Sequence, residues 1–109
     1  MKRIPSAIRI RNAAPSVISR LGHIAPFFKK EEDDLVFYSA LGDGYSVSEQ
    51  LVWIHGVIQH DSKILRKLRA EGIDLFVDIR ADSRELILQP NAIELPHKLG
   101  IPTEITLRK

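Results

Sequence analysis

One long helical pattern, from Ser46 to Gly72, constrains this chain more than any other feature. Ser46 and Glu49 have the Ser-x-x-Glu spacing of a capping box. There the hydroxyl and the carboxylate each satisfy a backbone N–H left open by a helix's first turn. Leu51, Ile54, Ile58, Leu65 and Leu68 then recur at helical steps that place them on one stripe. Asp61 falls on that same stripe. A carboxylate there would be buried in a continuous helix, which is costly. The sequence therefore predicts a break near His60, with Asp61 capping a second helix. Lys63, Arg66, Lys67 and Arg69 gather toward that helix's C-terminus, where the macrodipole favours cations, and Gly72 stops it.

The flanking segments read as strands and short helices. From Ile4 to Arg11 the chain alternates, with Ile8 and Ile10 on one side and Arg9 and Arg11 on the other. Pro15 and Gly22 frame a short helix with Val17, Ile18 and Leu21 facing in. His23 to Asp34, including the charged run from Lys29, reads as a solvated loop that Phe27 and Phe28 tuck onto the core. Leu35 to Leu41 reads as a second strand, rich in aromatic and aliphatic residues, broken by Gly42-Asp43-Gly44. Ile73, Leu75, Val77 and Ile79 alternate with Asp74, Phe76, Asp78 and Arg80, the clearest strand in the chain. Ala81-Asp82-Ser83 makes a turn, and Glu85 to Gln89 returns as a hairpin strand. Asn91-x-x-Glu94 caps a short helix anchored by Leu95 and Leu99, ended by Gly100, with Pro96 removing an interior hydrogen bond. Thr103 to Leu107 is a last strand, with Ile105 and Leu107 facing in.

The order β-α-β-(αα)-β-β-α-β fits one domain over residues 1–109. It implies an α+β fold: a ferredoxin-like two-layer sandwich with a mainly antiparallel sheet and helices on one face. A chain of 109 residues hides roughly 65% of its unfolded surface, enough for one core without covalent staples.

From Ser46 onward the chain resembles the bacterial domain-of-unknown-function family numbered four-two-seven-nine. The resemblance rests on Ser46, the Leu51 to Ile58 helix, Leu65-Arg66-Lys67-Leu68-Arg69-Ala70-Glu71-Gly72, the strand Ile73 to Ile79, and Leu88 to Ile105 with its short helix ending at Leu99-Gly100. Ala7 to Arg11 and Val17 to Gly22 look similar to the family's opening strand and helix. Phe37 or Tyr38 stands where the family carries a Trp, and the loop after Gly22 departs from the pattern. The resemblance covers most of the chain. It implies a fold and a bacterial source, and no activity.

Composition excludes several chemistries. The chain has no cysteine, so a disulfide framework, a thiol nucleophile and a cysteine-ligated zinc are ruled out. That suits the cytoplasm, which is the expected location. No apolar run approaches the ~20 residues of a membrane span. The basic start lacks the apolar core of a secretory signal, and the Ile8 to Arg11 alternation argues for a folded strand over an organellar leader. Charge is segregated. Residues 1–30 carry seven bases and no acid, and residues 31–109 carry nine bases and fourteen acids. Such asymmetry points to an anionic partner or to neutralisation within the fold, while the net charge of +2 gives nucleic acid little attraction.

No motif identifies a catalytic or metal centre, and no cofactor is implied. His55 and His60 are five apart and diverge on a helix, whereas zinc helices space ligands by three or four with a further ligand. His60 beside Asp61 suggests an oriented imidazole, yet no Ser or Cys nucleophile is tied to it, and a helix-junction cap is the simpler reading. Asp74 and Asp78 lie roughly 13 Å apart by strand rise, too far for a glycosidase pair. Asp74, Asp78 and Arg80 read as a wet strand face with cross-strand charge pairs. Arg9 and Arg11 form a basic stripe without the aromatics that stack nucleic-acid bases. Trp53, flanked by Val52 and Val57, lies in the core or at an interface, where Trp is favoured.

The expectation is a non-catalytic bacterial cytoplasmic module that binds another protein through Asp74, Asp78, Arg80, Trp53, Arg9 and Arg11. One version is an immunity protein that plugs a toxin's active site. The rival is a small-molecule-binding or weakly enzymatic domain, with Tyr45, His60 and Asp61 lining a pocket between sheet and helices. A third reading is a homo-oligomer joined through the Trp53 side.

Overall fold

The computed structural model describes residues 6–41, 45–81 and 94–107. The turns at Gly42-Asp43-Gly44 and Ala81-Asp82-Ser83, the return strand Glu85 to Gln89 and the Asn91 cap involve residues outside that set, as does the side chain of Leu95.

Alternation builds the first strand, β1 (Ala7–Ile10), and Pro15 opens a short helix, α1 (Pro15–Arg20). A 3-10 turn at Gly22–Phe27 follows. Two further strands come next, β2 (Lys29–Glu31) and β3 (Asp34–Tyr38). The helical pattern becomes α2 (Val47–Ile58), a 3-10 turn at Gln59–Asp61, and α3 (Ser62–Ala70). The remaining elements are β4 (Leu75–Ala81), α4 (Glu94–Leu99) and β5 (Thr103–Leu107). The fold is mixed α and β, with a mostly antiparallel five-stranded sheet ordered β2-β3-β1-β4-β5. The β4–β5 pair is parallel, and the others are antiparallel. The ferredoxin-like order is not confirmed. That layout rests on split β-α-β units, whereas β1 has an antiparallel neighbour on each side.

The capping box forms as its spacing requires: Glu49 N–H donates to Ser46 Oγ at 3.1 Å, and Ser46 N–H donates to Glu49 Oε1 at 3.2 Å. At the far end of α3 the chain closes in a Schellman motif. Ile73 N–H donates to the Leu68 carbonyl and Gly72 N–H to that of Arg69, with Gly72 at φ +92°. Ile73 then packs against the core. Ile8 and Ile10 of β1, Leu35 and Phe37 of β3 and Leu75, Val77 and Ile79 of β4 face the helices. They meet Val17, Leu21, Ile24, Leu51, Ile54, Ile58, Leu65, Leu68 and Leu99 in one buried cluster. Gln50, buried on α2, accepts the Ser6 N–H at 2.7 Å and donates to the Tyr45 carbonyl at 3.2 Å, which ties the start of that helix to the sheet.

Several local expectations are corrected. Lys29 to Glu31 is an edge strand, not a loop, because Glu32 takes φ +55° and lets a two-residue turn fold it back on β3. Its exposed lysines blunt that edge. Ile18 is exposed, since the short α1 turns only Val17 inward. The break near His60 occurs, but the Asp61 side chain does not cap α3. Its carboxylate faces His23 Nε2 at 2.7 Å instead. Pro96 is the third residue of α4, within the first turn, where backbone N–H groups have no helical partner to lose. Ile105 and Leu107 do not pack into the core: they are 40% and 58% exposed, on a strand that pairs only with β4 among the described residues.

Candidate functional site

Register gathers the sheet-face residues. Arg9 sits at the centre of β1, with Val36 and Phe76 as its cross-strand neighbours. Asp34 and Asp78 lie diagonally on either side. The guanidinium spans both, with Nη1 3.0 Å from Asp34 Oδ2 and Nε 3.2 Å from Asp78 Oδ2. Burial works to lower the Arg9 pKa, but the hydrogen bonds to Asp34 and Asp78 outweigh it and hold the group above its ordinary value. Arg80 approaches the same Asp78 oxygen at 3.6 Å, and its Nε is buried without a hydrogen-bond partner among the described residues.

Two residues further on, just past β1, Arg11 lies over the Phe76 ring at 4.3 Å, a cation–π arrangement. Its two terminal nitrogens grip Glu104 of β5 at 2.9 and 2.8 Å, and Nη1 stands 3.5 Å from Asp74. Asp74 also approaches Arg69 at 3.7 Å. A shallow polar trench of about 230 Å³ sets Arg9, Arg11 and Arg80 against Asp34, Asp78 and Glu104 over Phe76. The structure thus brings Arg9, Arg11, Asp78 and Arg80 together in the trench, with Asp74 at its margin, and balances their charge within it. Of the seven bases of residues 1–30, Arg9 and Arg11 are neutralised here and Arg20 pairs with Glu71.

Trp53 lies elsewhere, on α2. Its ring meets Phe37 at 5.7 Å, and Phe37 also stacks on Phe27 at 5.6 Å. Trp53 is therefore braced from behind while its outer edge opens into a hollow. That hollow holds about 350 Å³ and is lined by Leu41, Tyr45, Ser48, Glu49, Val52 and Trp53. Tyr45 is 45% exposed and Val52 is 56% exposed beside it.

Tyr45, His60 and Asp61 do not share a pocket. Tyr45 precedes α2 and the other two follow it, so the length of that helix, roughly 18 Å at 1.5 Å per residue, separates them. Among the described residues, no three His, Asp or Glu side chains converge into a group that could hold a metal ion. No described helix is long and apolar enough to cross a membrane.

No family model, curated protein or solved structure matches this chain.

A function must therefore be argued from the two surfaces. Sequence reasoning placed Asp34 in a charged loop and so missed its position beside Arg9, and it missed Glu104 and the place of Tyr45 and Val52 around one hollow. Asp34 stands two residues before Val36, and Glu104 alternates with Ile105, so both were legible as open-face residues once the strands were registered. The excess apolar character of α2 was the signal for the hollow.

Proposed function

We propose that this chain is a non-catalytic module that binds another protein through the hollow beside Trp53. One observation carries the reading. Tyr45 and Val52 are exposed side by side next to a tryptophan held by Phe37. A clustered, pre-ordered aromatic and aliphatic surface rimmed by polar groups is the usual make-up of an interaction hot spot. The trench charges already bond one another, so they supply orientation at most. The proposal keeps the family resemblance and the bacterial cytoplasmic setting, and neither adds an activity.

A toxin-neutralising role is the narrower version. Against a nuclease it would draw on an excess of acid, yet the trench matches its acids with arginines. The hollow would have to carry that role. A second reading is an apolar small molecule in the same hollow, favoured by its volume of about 350 Å³, within the usual range for ligand pockets.

Tagged chain, Val52→Glu and Asp74→Lys variants are compared in capture from lysate of the native cell. The proposal expects one stoichiometric partner, lost with Val52→Glu and retained with Asp74→Lys. Equal capture by Val52→Glu overturns it. So does an absence of partner accompanied by thermal stabilisation with apolar ligands, which establishes the second reading.

A further inference from the structure

The two edges of the sheet are built differently. The β2 edge is three residues long and presents Lys29 and Lys30, the charged, short form that discourages strand addition. The β5 edge is five residues long and presents Ile105 and Leu107, both exposed on the side of the sheet that holds the core.

The hydrogen-bond pattern fixes which backbone groups of β5 are spare. Val77 N–H donates to the Pro102 carbonyl at 2.8 Å. In a parallel ladder alternate residues bond to the same neighbour, so Glu104 and Thr106 also turn their backbone groups toward β4. Those of Thr103, Ile105 and Leu107 turn outward. Among the described residues no strand lies beyond them.

We propose that β5 is a homodimer seam, in which two copies pair their β5 strands antiparallel about a twofold axis at Thr106. Ile105 of each copy then stands opposite Leu107 of the other. Their outward N–H and C=O groups bond across the axis, and the four apolar side chains form one cluster on one face. This is strand addition in which the added strand is a second copy, with the self-matching surface that twofold symmetry requires. Charge permits it. Glu104 is the one charged residue of β5 and is already held by both terminal nitrogens of Arg11, so the seam brings no unpaired acids together. With the β2 edge blocked by lysines, the assembly closes at two copies. The proposal goes beyond the Trp53 reading and does not depend on it.

Sedimentation velocity of the full chain at rising concentration tests it, with circular dichroism to confirm folding. Wild type is expected to move from monomer to dimer, without larger species. Ile105→Lys should remain monomeric. So should Leu107→Pro, which removes an outward N–H and leaves the β4 ladder intact. Val52→Glu should dimerise like wild type. A wild type that stays monomeric throughout overturns the proposal. So does a dimer that survives both β5 variants, or one broken by Val52→Glu.

Discussion

Asp34 holds Arg9 with one carboxylate oxygen, 3.0 Å from Nη1, and with the other accepts the Asn12 backbone N–H at 3.1 Å. One side chain thus joins the part-buried ion network to the turn that follows β1. Asp34→Asn keeps an oxygen for the Asn12 N–H and is expected to cost about 1 kcal/mol. Arg9→Met is expected to cost more, about 3 kcal/mol, because among the described residues it leaves the buried Asp78 only the longer approach of Arg80. Urea unfolding of both variants gives the order directly, and equal losses would show that Asp78 gains little from Arg9.

Glu32 carries φ +55° in the β2–β3 turn, a conformation that Asn adopts more readily than Glu. Glu32→Asn should stabilise the fold by about 0.5 kcal/mol, and Glu32→Val should destabilise it by about 1 kcal/mol, since β-branching fits that region worst. Paired thermal melts check the opposite signs.

Gly100 ends α4 at φ +74°, and a Cβ there would lie 2.5 Å from Arg66 Cδ. Gly100→Ala should therefore lose about 2 kcal/mol, part from backbone conformation and part from the clash. Adding Arg66→Ala should recover only the clash. Denaturant unfolding of the single and double variants separates the two parts, and full recovery would remove the backbone share.

Two described groups contribute to the pH response in opposite ranges. Hydrogen bonds from Arg20 lower the Glu71 carboxyl below its ordinary range, so this link between α1 and the end of α3 stabilises above the unfolded carboxyl pKa. Its contribution fades as pH falls through the lower folded value. Burial, then the hydrogen bond to Glu31, raises Tyr38 above the ordinary tyrosine value. That contribution is complete below the unfolded tyrosine pKa and is lost as pH rises through the folded one. Arg20→Met should return the Glu71 titration, followed by NMR, toward its ordinary position. Tyr38→Phe should flatten the alkaline limb of the stability profile.

Local grammar made much of the fold legible. Ser46 and Glu49 marked the start of α2, Asp61 marked the break, Gly72 marked the stop, and the alternation from Ile73 to Arg80 assigned both faces of β4. What stayed hidden depended on neighbours. Lys29 to Glu31 looks like a solvated run because an edge strand is itself half solvated, and only its pairing with β3 distinguishes the two. Ile105 and Leu107 have a core-facing pattern, and nothing in their own sequence reveals that β5 is the last described strand of the sheet, where both stay exposed. Asp61 occupies the cap position by sequence, but His23, 38 positions earlier, competes for its carboxylate. The candidate site divides the same way. Arg9, Arg11, Asp78 and Arg80 shared a face by alternation alone, while Asp34 and Glu104 joined them only through register. Tyr45, His60 and Asp61 were grouped by residue type, and the length of α2 keeps them apart.

Trp53 is the chain's single tryptophan, so its fluorescence reports on the hollow alone. Titration of the captured partner into the full chain, with acrylamide quenching at each step, is the most direct measurement. The protein-binding account expects a blue shift and a fall in quenching that saturate together with binding. A partner that binds and leaves the Trp53 emission and its quenching unchanged would contradict it.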